Sequence, residues 1–163
     1  MSRHVPLTVT PNGETAIIIR RSFSAPPELI YDCWTVPALL RRWLLGPPGW
    51  SMPVCTVDAR VGGTYRYEWK KDDTGATMGL TGTFTALEKP RHLASSERFD
   101  EDWTGGPARV SIVLDAVDGG TEMIQTVTYS SAQAREGALF SGMTEGMEAG
   151  FQRLDAIVAE QAA

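Results

Sequence analysis

Cysteine and histidine are scarce in this sequence, which has two of each among its 163 residues. Cys33 and Cys55 are predicted on a helix and on a strand, which favours two reduced thiols over a disulfide framework. His4 and His92 are far apart, and neither has a second ligand at the spacing of a metal motif. The sequence therefore predicts no metal site and no bound cofactor.

Two loop motifs of enzymes are absent as well. The chain has no Gly-x-x-x-x-Gly-Lys-Ser/Thr loop to hold phosphates and no Gly-x-Ser-x-Gly elbow to present a nucleophile. Nucleotide binding and serine-hydrolase chemistry consequently lack support. A Cys/His pair stays open as an alternative, although no pattern favours it.

Long apolar runs and clustered positive charge are also lacking. No apolar run approaches the length of a membrane span, and Met1 to Thr10 contain no apolar segment of a signal peptide. The net charge is −5, and Arg20-Arg21 and Arg41-Arg42 are isolated basic pairs. We therefore expect a cytoplasmic protein with no nucleic-acid partner and no membrane partner.

The sequence has the size and composition of one globular domain. Hydrophobic residues make up 42% and charged residues 21% of the chain. Residues 1–13 are a polar lead-in that closes with the turn signal Pro11-Asn12-Gly13. We expect a single domain over 1–163 with its core at about 14–160.

The first part of the core is predicted to be a strand followed by two short helices. The isoleucines at 17–19 favour a strand over 14–24. Ser24 is a suitable N-cap for a helix that starts at Pro26-Pro27, and Pro37 begins a second helix. The stiff loop Gly46-Pro47-Pro48-Gly49 then ends the helical part.

From residue 50 to residue 129 the hydrophobic period is two, and afterwards it is that of a helix. Strands are predicted over 51–60, 64–71, 78–88, 91–99, 108–116 and 121–129. One long helix is predicted over about 132–160, because apolar residues recur at every third or fourth position: Leu139, Met143, Met147, Phe151, Leu154 and Val158. The predicted fold is α+β, with a curved antiparallel sheet of about seven strands wrapped around the C-terminal helix.

A set of spaced motifs over about 14–160 carries a family resemblance. They are Arg21-x-Phe23-x-Ala25-Pro26, Trp34-x-x-Pro37-x-x-Leu40-x-x-Trp43, Asp58-x-Arg60-x-Gly62-Gly63, Gly82 with Phe84, Gly120-Thr121, and Gly142-Met143-x-x-Gly146-Met147 before Leu154. The chain resembles the activator of heat-shock-protein ninety ATPase homologue-like family. That family belongs to the START-like, or SRPBCC, helix-grip superfamily. The resemblance implies a helix-grip fold.

The resemblance implies three kinds of function. Single-domain relatives look like binders of small apolar molecules, and some members of the superfamily are polyketide cyclases or hydrolases. The family name comes from larger eukaryotic co-chaperones, in which a separate domain does much of the work on the chaperone. This chain has no room for that domain.

Glycines and pliable side chains favour a cavity between the sheet and the last helix. Gly142, Gly146 and Gly150 form a stripe that either leaves room for a ligand or allows another element to pack closely. Methionines suit irregular walls, although they also fill ordinary cores. The candidate walls are Met78, Met123, Met143 and Met147, with the aromatic residues Tyr65, Tyr67, Trp69, Phe84 and Phe99.

Polar residues on apolar strand faces are a more specific signal of a functional site than the glycines and methionines. If Leu93 and Phe99 face inward, Ser95 and Glu97 face inward too. Gln125 likewise lies between two apolar positions of its strand. Burial raises the pKa of a carboxyl group, so Glu97 is a candidate ligand anchor or general acid/base. A strand-edge glutamate in water is the alternative.

Two further charged positions have plainer interpretations. Asp58 and Arg60 precede the Gly62-Gly63 turn and are interpreted as an ion pair that supports it. His92, next to Arg91 at a strand start, is predicted to be exposed.

The leading hypothesis is the binding of a small hydrophobic or aromatic molecule between the sheet and the C-terminal helix. The ligand would contact Trp69, Tyr67, Phe84, Met143 and Met147, and Glu97 or Gln125 would orient it. One alternative is a cyclase- or hydrolase-like enzyme that uses Glu97. Another is a chaperone-binding module with an exposed patch at Trp43, Leu44, Leu45 and Trp50. A homodimer stays open, since no pattern identifies an interface.

Overall fold

The period-two segments pair into one antiparallel sheet. The computed structural model describes residues 5–101 and 105–162. In these residues the strands are β1 (Thr8–Asn12), β2 (Ala16–Phe23), β3 (Trp50–Val57), β4 (Thr64–Lys71), β5 (Thr77–Glu88), β6 (His92–Phe99), β7 (Ala108–Val117) and β8 (Gly120–Thr128). The helices are α1 (Pro27–Thr35), α2 (Pro37–Trp43), α3 (Ala132–Leu139) and α4 (Met143–Ala162).

The strand order is β1-β2-β8-β7-β6-β5-β4-β3. Strands β3 to β8 form the predicted meander, and β2 pairs with β8, so that the first core strand closes on the last. Helix α4 is joined to β2 through Arg21 and Phe23, and α1 packs against β7 and β8. The α+β helix-grip fold is confirmed.

The polar lead-in contains a strand that was not predicted. Thr8 pairs with Arg20 and Asn12 pairs with Ala16, which makes β1 an edge strand. The predicted turn is present, and Gly13 adopts a φ of 61° that favours glycine. The strand was missed because its side chains are mostly exposed and provide little hydrophobic pattern.

The helix starts after a proline pair, but not with the predicted cap. Helix α1 has Pro26 at its N-cap position, with no side-chain cap, so the assignment of Ser24 was wrong. A residue before proline is pushed out of the helical region, and Pro26 accordingly has a ψ of 157°. The helix can therefore begin only at Pro27.

The C-terminal helix is interrupted. Helix α3 begins after Ser131, whose hydroxyl accepts a hydrogen bond of 3.0 Å from the Ala134 N–H, and α3 ends at Leu139. Gly142 has a φ of 79°, which no helix permits, and α4 begins at the next residue. The prediction of one helix over 132–160 was therefore wrong in this segment.

The part of α4 from Phe151 onward contributes to the core. Phe151 is 2% exposed and packs against the rings of Phe23, Trp34 and Trp43. Other buried members of the core include Ile17, Ile19, Leu40, Leu114, Leu154, Ile157 and Val158. Cys33 and Cys55 are both buried free thiols, as predicted.

A buried arginine fastens α4 to β2. The Arg21 guanidinium donates to Glu148 at 2.8 Å and to both oxygens of Asp155 at 2.8–2.9 Å. The same group lies 5.0 Å from the Phe23 ring centroid and 5.7 Å from that of Phe151. The arginine is thereby both paired and packed, as a buried charge must be.

Candidate functional site

A cavity of about 610 Å³ lies between the sheet and the first half of α4. Inward-facing side chains of β4 to β8 form one wall, and Met143, Gly146 and Met147 of α4 form the opposite wall. The loop after α2 (44–47) and the link between α3 and α4 (141–142) complete it. The enclosure thus depends on two loops as well as on the sheet and the helix.

Most of the predicted ligand-binding residues line this cavity. They are Tyr65, Tyr67, Trp69, Met78, Phe84, Glu97, Phe99, Gln125, Met143, Gly146 and Met147. Met123 is not among the lining residues and has no exposed surface. It shares a strand face with Gln125, but α1 packs against β7 and β8, and Met123 belongs to the filled core.

Two glycines of the stripe allow the elements around the cavity to pack closely. A Cβ atom at position 146 would lie 3.3 Å from Cδ of Pro47, and one at position 150 would lie 2.9 Å from the carbonyl oxygen of Trp43. Both glycines therefore allow α2 and its following loop to approach α4 closely, and both also line the cavity. Gly142 is instead the left-handed residue between the helices.

Gly82 fixes the position of Tyr65. The two residues are direct partners of β4 and β5, and the Tyr65 ring lies over Gly82, where a Cβ atom would collide with it. Gly82 also pairs with Glu97 on β6. The missing side chain therefore lets the tyrosine hydroxyl reach across β5 to the glutamate on β6.

A polar cluster lies within the apolar cavity. The Tyr65 hydroxyl donates to Glu97 Oε2 at 2.6 Å and lies 2.9 Å from the Ser95 hydroxyl. Burial raises the pKa of Glu97, and the hydrogen bond from Tyr65 opposes this only in part. Burial and the Glu97 charge together raise the pKa of Tyr65 and raise that of Tyr129 to about 12. The tyrosines consequently stay protonated at neutral pH, as hydrogen-bond donors.

Some polar groups of the cavity have no partner among the described residues. These are the hydroxyls of Tyr67 and Tyr129 and the side-chain amide of Gln125. The indole N–H groups of Trp43 and Trp69 instead donate to the carbonyls of Cys33 and Leu44. The tryptophans thus offer the cavity only their apolar surface.

Tyr129 was missed as a site residue by sequence reasoning. It continues the two-residue period of Gln125 and Val127 beyond the end of β8, and all three line the cavity. That period was the signal that places it on this face.

The patch predicted for a chaperone-binding surface is not exposed. Trp43 is 2% exposed, while Leu44, Leu45 and Trp50 are partly buried and line the cavity. The prediction was wrong because these side chains turn inward to complete the cavity wall. Among the described residues the exposed large hydrophobic side chains are Val36, Val61, Met78 and Phe140.

The other candidates lie outside the cavity. The His92 ring is partly exposed, 3.2 Å from Glu88 Oε1 and 3.1 Å from Ser111 Oγ. Asp58 and Arg60 form the predicted ion pair at 2.8 Å. His4 lies outside the described residues. Within 5–101 and 105–162, no three His, Cys, Asp or Glu side chains gather as a metal site requires.

None of the described helices combines the length and the apolar character that crossing a bilayer requires. The cavity is the leading candidate site because it combines apolar walls with a few polar groups.

Comparison with known proteins identifies relatives. The profile of the family described as Activator of Hsp90 ATPase homolog 1-like protein matches residues 24–159. A crystal structure of a protein from Rhodobacter sphaeroides is 35% identical, with a TM-score of 0.89, over 95% of this chain and 99% of that one. Among curated proteins, no sequence is significantly similar.

Two more distant structures have the same architecture. The solution structure of a protein from Arthrobacter aurescens is 27% identical, with a TM-score of 0.81, over 94% of this chain and 91% of that chain. Protein Ms6760 from Mycobacterium smegmatis is 25% identical, with a TM-score of 0.79, over 95% of this chain and 96% of that one. The fold is therefore shared along almost the whole chain.

Proposed function

The chain belongs to the Activator of Hsp90 ATPase homolog 1-like family, and we propose that it binds one small hydrophobic or aromatic molecule between the sheet and α4. The observation that carries this proposal is the cavity of about 610 Å³. Sites for drug-sized ligands have volumes of about 300–1,000 Å³ and combine apolar walls with a few polar groups. The cavity meets both criteria.

The walls indicate the shape of the ligand. The rings of Tyr67 and Trp69 are 5.8 Å apart at their centroids, and the rings of Tyr65 and Phe84 are 5.0 Å apart. Such rings supply large, rigid contact surfaces for an aromatic or alicyclic body. Met143 and Met147 face them with side chains that adapt to irregular outlines.

The first experiment identifies what the cavity holds. Protein purified from its native host is denatured, and the released small molecules are analysed by mass spectrometry. We expect one apolar compound in near-stoichiometric amount with the chain. Protein that releases none is then titrated with N-phenyl-1-naphthylamine, a neutral probe whose fluorescence rises in apolar surroundings.

A matched pair of variants on β7 locates the probe. Val110 lines the cavity, whereas Val113 lies at an alternate position of the strand and does not. We expect Val110→Trp to weaken probe binding by at least about tenfold, which corresponds to about 1.4 kcal/mol, because the indole occupies ligand volume. Val113→Trp should leave affinity nearly unchanged. Equal affinities in all three proteins, or no probe binding at all, would contradict the proposal.

A second candidate function, acid–base catalysis, is favoured by one observation. A carboxyl group whose pKa is raised by burial holds its proton more tightly than an exposed one and is suited to act as a general acid, and Glu97 faces the cavity in that condition. With p-nitrophenyl butyrate as an ester probe, this candidate requires turnover by the wild type and its loss in Glu97→Gln. Retained probe binding in that variant would show that the cavity is intact.

A further inference from the structure

We propose that the molecule held in this cavity carries a protonated amine on its apolar or aromatic body, with the Glu97 carboxylate as its counter-ion. The inference rests on the proposed function, because it names the ligand class of the same cavity.

The described lining of the cavity is acidic. Among the described residues that line it, Glu97 is the only carboxylic acid, and none is lysine, arginine or histidine. Several partly buried or bridging carboxylates elsewhere have cationic partners: Glu148 and Asp155 bind Arg21, and Asp100 binds Arg66. A buried carboxylate needs such a partner, so a cation is the group that the cavity lacks and a ligand can bring.

The hydrogen bonds of Glu97 leave room for that ligand. Oε2 accepts from the Tyr65 hydroxyl at 2.6 Å, whereas Oε1 has no partner among the described residues. A carboxylate accepts several hydrogen bonds, and bonds from a charged donor are the stronger ones. An ammonium group at Oε1 would therefore complete the coordination of the carboxylate without disturbing Tyr65.

Aromatic rings surround the same position. Tyr65 stacks on Tyr67 with centroids 5.0 Å apart, and Phe84 lies 5.0 Å from Tyr65. Phe99 and Tyr129 line the cavity as well. Ring faces attract cations, and an ammonium ion held between aromatic rings is a recurrent mode of recognition. The surroundings of Glu97 thus favour a cationic ligand in two ways: through the charge of the carboxylate and through cation–π attraction to the rings.

Ligands of other charge fit less well. An anion would meet the Glu97 charge without any compensating cation from the lining residues. A neutral acceptor would instead require Glu97 to stay protonated. The Tyr65 hydroxyl donates to Glu97, and the Glu97 charge also acts on the hydroxyls of Tyr67 and Tyr129. The other polar side chains of the described lining include those of Ser95 and Gln125, and none of these groups is a cation.

The two ionisation states predict opposite effects of pH. A protonated amine binds best when Glu97 has lost its proton, so affinity should rise as pH rises through the pKa of Glu97, while the amine keeps its own charge. A neutral acceptor ligand would show the reverse slope, because it needs the proton that Glu97 then loses. The slope can be measured on the unmodified protein and does not depend on a variant folding correctly.

The test uses three probes of one shape: 2-naphthylmethylamine, 2-naphthylmethanol and 2-naphthoic acid. Their affinities are measured by isothermal titration calorimetry with the full-length chain and with Glu97→Gln, which keeps the size of the side chain. In the wild type we expect the amine to bind at least about tenfold more tightly than the alcohol, a difference of about 1.4 kcal/mol. In Glu97→Gln the amine should fall to the level of the alcohol, whose own affinity should change little.

The outcomes separate this inference from the proposed function. Binding of the alcohol as tightly as the amine, or an amine preference that survives Glu97→Gln, would overturn the ammonium inference while leaving the cavity as a binding site. The tightest binding by the acid, or affinity for the amine that falls as pH rises, would overturn it as well. No binding of any of the three probes would count against both.

Discussion

The two parts of α4, before and after Gly150, face the same sheet but have different roles. From Phe151 onward, Phe151, Leu154 and Ile157 are buried in the core, and the Phe151 ring, at the border of the cavity, packs against rings of β2, α1 and α2. Before Gly150, Gly146 and Met147 border a cavity of about 610 Å³. The difference teaches that this fold separates stability from binding along a single helix, with the large side chains at one end and a glycine and flexible thioethers at the other.

The core and the cavity also differ in how their charges are paired. Outside the cavity lining, the Arg21 guanidinium meets two carboxylates and two aromatic rings. In the cavity, Glu97 has only the Tyr65 hydroxyl and no cation among the described lining residues. A satisfied network stabilises the fold, whereas an incompletely satisfied one is a place where a ligand gains binding energy. The following substitutions test this contrast.

Removal of the ring of Phe151 should have the largest effect. Phe151→Ala deletes a side chain that is 2% exposed and in contact with three other aromatic rings, and we expect a loss of about 3–5 kcal/mol in the free energy of unfolding. Urea denaturation at neutral pH measures it. The same truncation at Met147 should cost clearly less, because the Met147 side chain is only partly buried although both residues border the cavity. Equal losses would contradict the division of α4 at Gly150.

Loss of the arginine clamp should have the next largest effect. Arg21→Met keeps the apolar stem but leaves Glu148 and Asp155 without their cation, and we expect a loss of about 2–3 kcal/mol. We expect this loss of stability to be smaller than for a deeply buried ion pair, because both carboxylates are partly exposed.

Arg42→Met is the matched control for this clamp. Arg42 also pairs with a residue of α4, Glu160, but both side chains are largely exposed. We expect a loss of less than about 1 kcal/mol. Thermal denaturation of both variants in parallel compares the two losses of stability. A larger loss in Arg42→Met than in Arg21→Met would contradict this prediction.

A pair of glycine substitutions compares close packing with open space. Gly150→Ala would place a methyl group 2.9 Å from the carbonyl oxygen of Trp43, and overpacking of this kind costs about 1–3 kcal/mol. Gly137 lies in α3 with nothing within 4 Å of its Cβ position. Gly137→Ala should therefore stabilise the protein by about 0.5–1 kcal/mol through helix propensity alone. Stabilisation by both substitutions would show that α2 does not constrain α4.

The sequence predicted the strands better than the limits of the cavity. Alternation places Glu97 and Gln125 on the inner face, because a period of two assigns faces directly. It does not say which helix covers a given position, so Met123 was grouped with the lining residues although it belongs to the filled core. Tertiary packing decides which helix covers a given position along a strand.

The break in the C-terminal helix escaped prediction for a related reason. Gly142 occupies a position that fits the helical spacing of Gly146 and Gly150, and only its φ of 79° in the folded chain ends the pattern. Leu139 and Met143 keep the apolar stripe running across the break. Hydrophobic periodicity indicates which side of a helix faces the core. An interruption of the helix that leaves the same side facing the core does not change the period.

The smallest expected effect is a change in how stability depends on pH. Burial raises the pKa of Glu97 above its ordinary value of about 4.5, so the folded state binds this proton more tightly than the unfolded state does. The glutamate therefore lowers stability progressively as pH rises from about 4.5 through the folded pKa, and by a constant amount above it. Glu97→Gln removes this penalty because the amide does not ionise.

We expect the stability of Glu97→Gln, relative to wild type, to increase with pH over that window and then to level off. Urea denaturation of both proteins over a pH series measures the difference, and a difference that does not vary with pH would contradict a buried, unpaired carboxylate. Saturation of the wild type with 2-naphthylmethylamine should abolish the slope, since the ammonium group would supply the missing cation. Arg21→Met should show no such response to the amine, because Glu148 and Asp155, the partners of Arg21, are not among the residues that line the cavity.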